Sequence, residues 1–355
     1  QSTARVEVLE VFQGLTRQKV KEVAAGDSAL ITGITEVGIY DTICHPEHPD
    51  AVPAVAIDEP TLTVEFRAND SPFAGQEGDY VTSRHLAERL ERELRSNIAL
   101  RVVKKDDCFH VSGRGLLHLG ILIENMRRES YEFAVGKPHV VFKEIDGQLH
   151  EPVELLTVDI PDEFAGKVME IVGARKGELR RMDQRGVRQI IEFSIPSRGL
   201  IGIRSRLMNA TRGEAVVNHV LDRYEPFRGD VPKRPNGVLV STAEGEATGY
   251  AIDGLQQRGE FFIKVQTRVY PNMIVGEHSR FEDLGVNVCR GKKLTNVRAS
   301  GSDENIDIAP PRDFSLEAAL EYIEDDELLE VTPQSIRMRK RPNANLRGAK
   351  GGIKG

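Results

Sequence analysis

Along the chain, the spacing of apolar and polar positions changes character several times. Residues 4–60 carry short alternating runs, such as Arg5-Val6-Glu7-Val8-Leu9-Glu10-Val11, cut by Gly14, Gly26, Gly33 and Gly38. No helical period persists there, so the segment reads as part of a β-barrel. From Thr61 the pattern shifts: Thr61-Leu62-Thr63-Val64-Glu65-Phe66 alternates as a strand, and Leu86, Leu90 and Leu94 recur on one helix face. Residues 97–103 and 108–111 then read as strands, 116–126 as a helix with a thick apolar face, and 140–142 as a closing strand. The order is strand, helix, strand, strand, helix, strand.

The same order returns about 90 residues later, as expected of a second split βαβ unit. It runs through a strand at 153–158, a helix face of Phe164, Val168, Ile171 and Val172, and a hairpin turned by Gly186 between strands at 179–182 and 187–193. A helix at 199–210 and a strand at 215–221 complete it. Helices would cover one face of each antiparallel sheet and leave the other open. Beyond residue 232, Gly-spaced strands are expected at 238–241, 248–252, 261–265 and 268–270. An acidic helix follows, capped by Ser315 and burying Leu316, Ala319, Leu320 and Ile323. The fold class is therefore multidomain α+β. It comprises a partial barrel at 1–59, two ferredoxin-like units at 60–147 and 148–232, a mostly-β domain with one helix at 233–341, and a mobile tail at 342–355.

Composition narrows this reading. A length of 355 residues suits two to four domains at roughly 150 residues each. Cys44, Cys108 and Cys289 are too few and too scattered for a disulfide framework or a four-cysteine zinc site, which fits a reducing compartment. No stretch longer than nine residues lacks Asp, Glu, Lys and Arg, whereas a membrane helix needs about 20 apolar residues. With no signal-peptide pattern either, a cytoplasmic protein is expected. Alternation begins almost at Gln1, so the chain is expected to start inside a domain.

The formal charge of −7 argues against a general attraction to phosphate polymers, but the charge is unevenly spread. Residues 175–188 hold Arg175, Lys176, Arg180, Arg181, Arg185 and Arg188 against only Glu178 and Asp183. Residues 284–302 hold Arg290, Lys292, Lys293 and Arg298 and no acid, among Gly, Asn and Ser. Residues 317–330 carry seven acids and no base, and 332–355 seven bases and no acid. A basic segment of permissive backbone can follow a phosphate chain. Aromatics are 6% with no Trp, so contact with the backbone and shape of structured RNA suits the chain better than base stacking. The candidate RNA-binding residues are Arg290, Lys292, Lys293, Asn296 and Arg298, then Arg175, Lys176, Arg180 and Arg181.

No catalytic set emerges. No G-x-x-x-x-G-K-S/T occurs; residues 285–293 come nearest and lack the strand-to-helix context. Asp183-Gln184-Arg185-Gly186 reads as a hairpin turn. Cys44-His45-Pro46-Glu47-His48 bunches three metal-ligand types without a fourth, which favours a polar loop and leaves a metal-dependent enzyme as an alternative. The helix starts at Ser112-Gly113-Arg114-Gly115 and at Arg198-Gly199 could each meet an RNA phosphate. The open sheet faces leave a protein-binding scaffold as a further reading.

Several stretches are similar to known translation factors. Ser112-Gly113-Arg114-Gly115-Leu116-Leu117-His118-Leu119 and Glu124-Asn125-Met126-Arg127-Arg128-Glu129 resemble the signature of the third domain of elongation factor G. The unit from Glu151-Pro152 through Ile195-Pro196-Ser197-Arg198-Gly199-Leu200-Ile201-Gly202 resembles the domain these factors carry near their C-terminus. Gly291-Lys292-Lys293-Leu294-Thr295-Asn296-Val297-Arg298-Ala299-Ser300-Gly301 and Asp325-Asp326-Glu327-Leu328-Leu329-Glu330-Val331-Thr332-Pro333 resemble the C-terminal domain of the BipA/TypA family of translational GTPases. The resemblance covers residues 26–341; Leu117 departs from it, standing where relatives often have Glu.

It implies that a GTPase domain, with its GTP and Mg, precedes this chain and that the chain alone is inactive. It also implies a monomer that binds the 70S ribosome and the large subunit. The implied role is large-subunit assembly and stress or low-temperature adaptation, with contacts to rRNA and to the acceptor arm of A-site tRNA.

Overall fold

The computed structural model describes residues 3–34, 37–53, 59–291 and 307–342. It divides into two compact units, one of residues 1–58 with 91–98 and one of the remainder. In the first, an antiparallel sheet runs in the order Thr16–Lys19, Val8–Gln13, Ala29–Thr32. None of its strand residues is fully buried, and the described residues form no closed barrel.

The second unit holds both split βαβ motifs. Leu62–Ala68, Arg101–Lys105, Cys108–Gly113 and Phe133–Val135 pair antiparallel, with Leu62–Ala68 and Cys108–Gly113 in the middle. Leu62, Val64 and Phe66 alternate inward as the sequence pattern requires. They meet Leu86 and Leu90 of the helix Ser83–Leu94, and Leu119, Leu122, Ile123 and Met126 of the helix Leu116–Arg128. The closing strand expected at 140–142 lies instead at Phe133–Val135, with a two-residue pairing at His139–Val140. Phe133, Ala134 and Val135 are buried on both sheet faces, so this strand shows no alternation. Pro138 then interrupts the ladder before the short second pairing.

The sheet does not stop there. Glu327–Val331 pairs antiparallel with Phe133–Val135, setting Leu329 opposite Val135, and Ile336–Lys340 pairs outside it, giving seven strands in all. The acidic run at 317–330 is therefore not one helix. The helix Leu316–Tyr322 carries only Glu317 and Glu321, with Ser315 Oγ accepting from Ala318 N at 3.3 Å. Glu327 and Glu330 lie on the strand and are fully buried. One apolar core joins Leu62, Phe66 and Leu119 to Val238, Ile274, Leu320 and Leu329.

The second split βαβ motif has the same strand order on its own elements. Glu178–Arg185, Arg188–Pro196, Gln148–Pro161 and Val216–Pro226 lie side by side, with Lys143–Ile145 also paired to the long strand. Its core joins Leu156, Val158, Ile160, Ile191 and Phe193 to Val168 and Val172 of the helix Ala165–Ala174 and Leu207 of the helix Ile203–Ala210. The helix expected at 199–210 is broken into Ser197–Leu200 and Ile203–Ala210 by Gly202, whose φ of +74° is left-handed.

The last sheet runs Gly259–Phe261, Ile274–His278, Val238–Ser241, Leu284–Val286, with the last pair parallel. The strand expected at 248–252 is a helix, Gly249–Leu255. Thr248 Oγ1 caps it by accepting from Ala251 N at 3.2 Å, while Ala251, Ile252 and Leu255 turn inward. The strand expected at 261–265 ends at Phe261. Among the described residues no helix is long and apolar enough to cross a membrane.

Candidate nucleic-acid interface

The basic hairpin is the clearest of the sequence candidates. Gly186 turns it at φ +63°, and the register sets Arg181 opposite Glu192, Asp183 opposite Ile190, and Arg185 opposite Arg188. Ile191 and Phe193 face the core, so alternation puts Arg181, Asp183 and Arg185 on the face that the helices leave open. Arg181 Nε meets Asp183 Oδ2 at 2.7 Å, and Arg180 Nη2 lies 3.9 Å from Asp222. Both are exposed ion pairs, worth about 0–1 kcal/mol, so a phosphate can replace the acid at little cost. Lys176 is exposed at φ +65°, its carbonyl accepting from Arg228 Nη1 at 3.3 Å. Arg185 is exposed, and Arg188 is held 2.7 Å from Asp159.

Arg175 is the exception and a correction. It is buried, its Nε donating to the Gly199 carbonyl at 2.6 Å and its Nη2 to that of Ile201. It braces the broken helix rather than the surface. Burial, and then the charge of Arg206, pull its pKa down to about 10, which leaves it charged at neutral pH.

Lys292, Lys293, Asn296 and Arg298 lie outside the described residues. Arg290 is exposed, and its carbonyl accepts from Thr248 Oγ1 at 2.7 Å. On the far side of residues 292–306, Gln256 Nε2 donates to the Asp307 carbonyl at 3.0 Å, and Gln256 Oε1 accepts from Ala309 N at 2.8 Å. Both described flanks of the basic segment are therefore pinned to the two ends of the helix Gly249–Leu255. Reading 248–252 as a strand concealed this anchor; the signal that could have found it is the capping residue Thr248 before an i, i+3, i+4 apolar set.

The bases near residue 340 serve the interior. Arg337 spans Glu330 at 3.1 Å and Glu77 at 2.8 Å, and Arg341 meets Glu65 at 2.7 Å. Lys340 lies 2.6 to 2.9 Å from Asp283, Asp326 and Glu327, and Glu327 also holds Arg234 at 2.8 Å. Burial works to raise the Glu330 carboxyl, but hydrogen bonds from Arg337, Tyr270 and Ser71, with the Arg337 charge, together hold it below the usual range. Burial works against the Lys340 charge, yet its three acid neighbours raise its pKa.

Two family models match this chain: the TypA/BipA C-terminal domain over residues 236–345 and the elongation factor G C-terminus over residues 148–235. The large ribosomal subunit assembly factor BipA of Synechocystis is 49% identical over 340 residues, covering 95% of this chain and 57% of that protein. The factor of the same name from Bacillus subtilis is 48% identical over 341 residues, 95% of this chain and 56% of its own. That from Haemophilus influenzae is 51% identical over 332 residues, 92% and 54% respectively. The chain belongs to the BipA/TypA family. It spans somewhat more than half the length of these relatives.

Other sequence candidates of this BipA/TypA-family chain take ordinary structural places. Cys44 Sγ donates to the Asp50 carbonyl at 3.2 Å, and the His45 and His48 rings stand 6.0 Å apart. Among the described residues no group of three or more His, Cys, Asp or Glu could hold a metal. Arg114 N donates to His118 Nδ1 at 3.3 Å, so one amide at that helix start is already engaged. Arg198 is paired with the fully buried carboxylate of Glu151. Residues 284–286 form a strand, and no helix follows through residue 291. What sequence reasoning missed is apolar: Leu179, Met182 and Val187 are exposed on the hairpin beside its arginines, Val187 at 84%.

Proposed function

We propose that this chain is the ribosome-contacting part of a large-subunit assembly factor, and that it grips rRNA, and tRNA in the A site, through its basic hairpin and the segment that follows Arg290. The observation that carries the reading is near 49% identity, over almost the whole chain, to proteins named large ribosomal subunit assembly factor BipA. The hairpin supports it physically. Lys176, Arg180, Arg181 and Arg185 stand on an exposed edge with weak or no internal partners, and each phosphate they neutralise releases counterions. GTP and Mg would be handled by residues outside this chain, which contributes no chemical step. A place in the cytoplasm, on the 70S particle and the large subunit, during stress or low temperature belongs to the same proposal.

Ribosome co-sedimentation over a salt series tests it. Binding should fall steeply with salt, and Arg180→Ala, Arg181→Ala and Arg185→Ala combined should lower the salt slope by about one per lost phosphate contact. Salt-indifferent binding, unchanged in the triple variant, would sink the phosphate reading. It would favour a protein-binding scaffold, for which exposed Val216 and Val220 on the open sheet face are the relevant observation.

A further inference from the structure

A cavity of about 510 Å³ opens where the second split βαβ motif meets the segments before and after it. That is within the range of small-molecule sites. Two of its walls are the rings of Phe142 and Phe227, 6.0 Å apart at 62°, which keep 38% and 41% of their surface exposed. Large aromatics left open side by side inside a cavity keep part of their π surface uncovered. The Arg198 guanidinium lies over the Phe227 ring, 4.5 Å from its centroid.

The polar wall carries charges of both signs. Lys137 is satisfied by Glu324, and Lys233 lies 3.3 Å from Asp325. Arg206, exposed on the helix Ile203–Ala210, has no ion-pair partner among the described residues. Behind it Arg175 is buried, bonded only to carbonyls, and close enough for each guanidinium to feel the other's charge. Glu321, which accepts from Ser205 Oγ at 3.1 Å, is the acid whose charge Arg175 feels. Asp230 also lines the cavity.

We propose that this cavity receives one unstacked nucleotide, its base laid against Phe142 and Phe227 and its phosphate drawn to Arg206. An open aromatic pair beside an unpaired guanidinium matches the two ends of a nucleotide: a sequence-tolerant stacking surface and a charge-assisted donor fork. Inorganic phosphate would leave the rings unused, and an apolar ligand would leave the arginines uncompensated. A splayed base of structured RNA and a free nucleoside monophosphate share this chemistry. Only the RNA source rests on the ribosome-contact reading.

The test uses the full chain. UMP, AMP, ribose 5-phosphate and inorganic phosphate are titrated by calorimetry, and a short RNA carrying 4-thiouridine is cross-linked and mapped by mass spectrometry. Nucleotides are expected to bind at least tenfold more tightly than ribose 5-phosphate. Phe142→Leu and Phe227→Leu should abolish that preference. Arg206→Glu should weaken binding about tenfold without changing the melting temperature. Cross-links at Phe142 or Phe227 with weak mononucleotide binding assign the source to RNA; strong mononucleotide binding without cross-links assigns it to the free nucleotide. Equal binding of ribose 5-phosphate and UMP, with no cross-link at either ring, overturns the proposal. Ribosome binding that stays salt-dependent in that case leaves the hairpin reading standing, so the two failures are distinct.

Discussion

The two split βαβ motifs share one strand order and differ in what lies on their edges. In the first, Phe133–Val135 would be an open edge, but Glu327–Val331 pairs with it and Ile336–Lys340 covers that strand in turn. In the second, the equivalent strand Val216–Pro226 is left uncovered among the described residues, and the opposite edge strand Glu178–Arg185, open like its counterpart Arg101–Lys105, carries Arg180, Arg181 and Arg185. An open strand edge invites unwanted pairing unless it is covered or charged. Each solution suits a different task. The covered edge ties the chain's end into a single core, and the charged edge leaves cations free for a partner.

The largest test of this contrast removes the cover. Truncation after residue 325 deletes Leu329, Val331 and Met338, all buried in the first motif's core, and should cost more than about 5 kcal/mol there, at 2–5 kcal/mol for each large buried apolar side chain. Hydrogen exchange should show strands 62–68 and 108–113 unprotected while 153–161 and 188–196 stay protected. Joint survival of both motifs would mean that the strands Glu327–Val331 and Ile336–Lys340 are not needed to hold the first motif together.

Glu330→Gln should come next, at about 3 kcal/mol, because it strips a buried partner from Arg337. Adding Arg337→Met should recover part of that loss in a double-mutant cycle followed by chemical denaturation. Acid should weaken the first motif as well. Glu330 and Glu77 both titrate below the ordinary carboxylate value. The stability they add is complete above the unfolded pKa of about 4.3 and is lost as pH falls through their lower folded values.

His219 in the second motif runs the other way. The hydrogen bond of its Nδ1 with Glu154, at 2.6 Å, raises its pKa against burial. Its contribution is therefore full below the unfolded value near 6.5 and disappears as pH rises through the raised one. Half-exposed, the pair should be worth about 0.5 kcal/mol or less. Thermal melts of His219→Gln should differ from the parent at pH 6 and coincide with it at pH 9. Smallest of all in stability is Arg181→Ala, expected within about 0.5 kcal/mol, even though it should weaken salt-dependent ribosome association.

Legibility in the sequence followed the range of the interactions. Leu62, Val64 and Phe66, or Val168 and Val172, announce their faces through neighbours a few residues away, so both strand orders could be read. Residues 248–252 were misread because a short apolar run fits either period, and the Thr248 cap decides. Phe133–Val135 was missed because a strand buried on both faces does not alternate. Among candidate contacts, Lys176, Arg180, Arg181 and Arg290 proved exposed, whereas Arg175, a neighbour of Lys176, turned inward. Counting charge along a chain carries no information about the direction of a side chain.

The sequence by itself determined the elements, their apolar faces, the repeat of the split βαβ order and the clustering of like charges, all set by spacing within a few residues. Only the tertiary structure decided which charges meet water. The acids at 327 and 330 and the bases at 337–341 look like exposed blocks in the sequence, yet they neutralise one another and Glu65, Asp70 and Glu77 across some 260 residues of chain. A buried ion is stable only beside its partner, and that partner is chosen by the sheet's register, which no local pattern contains.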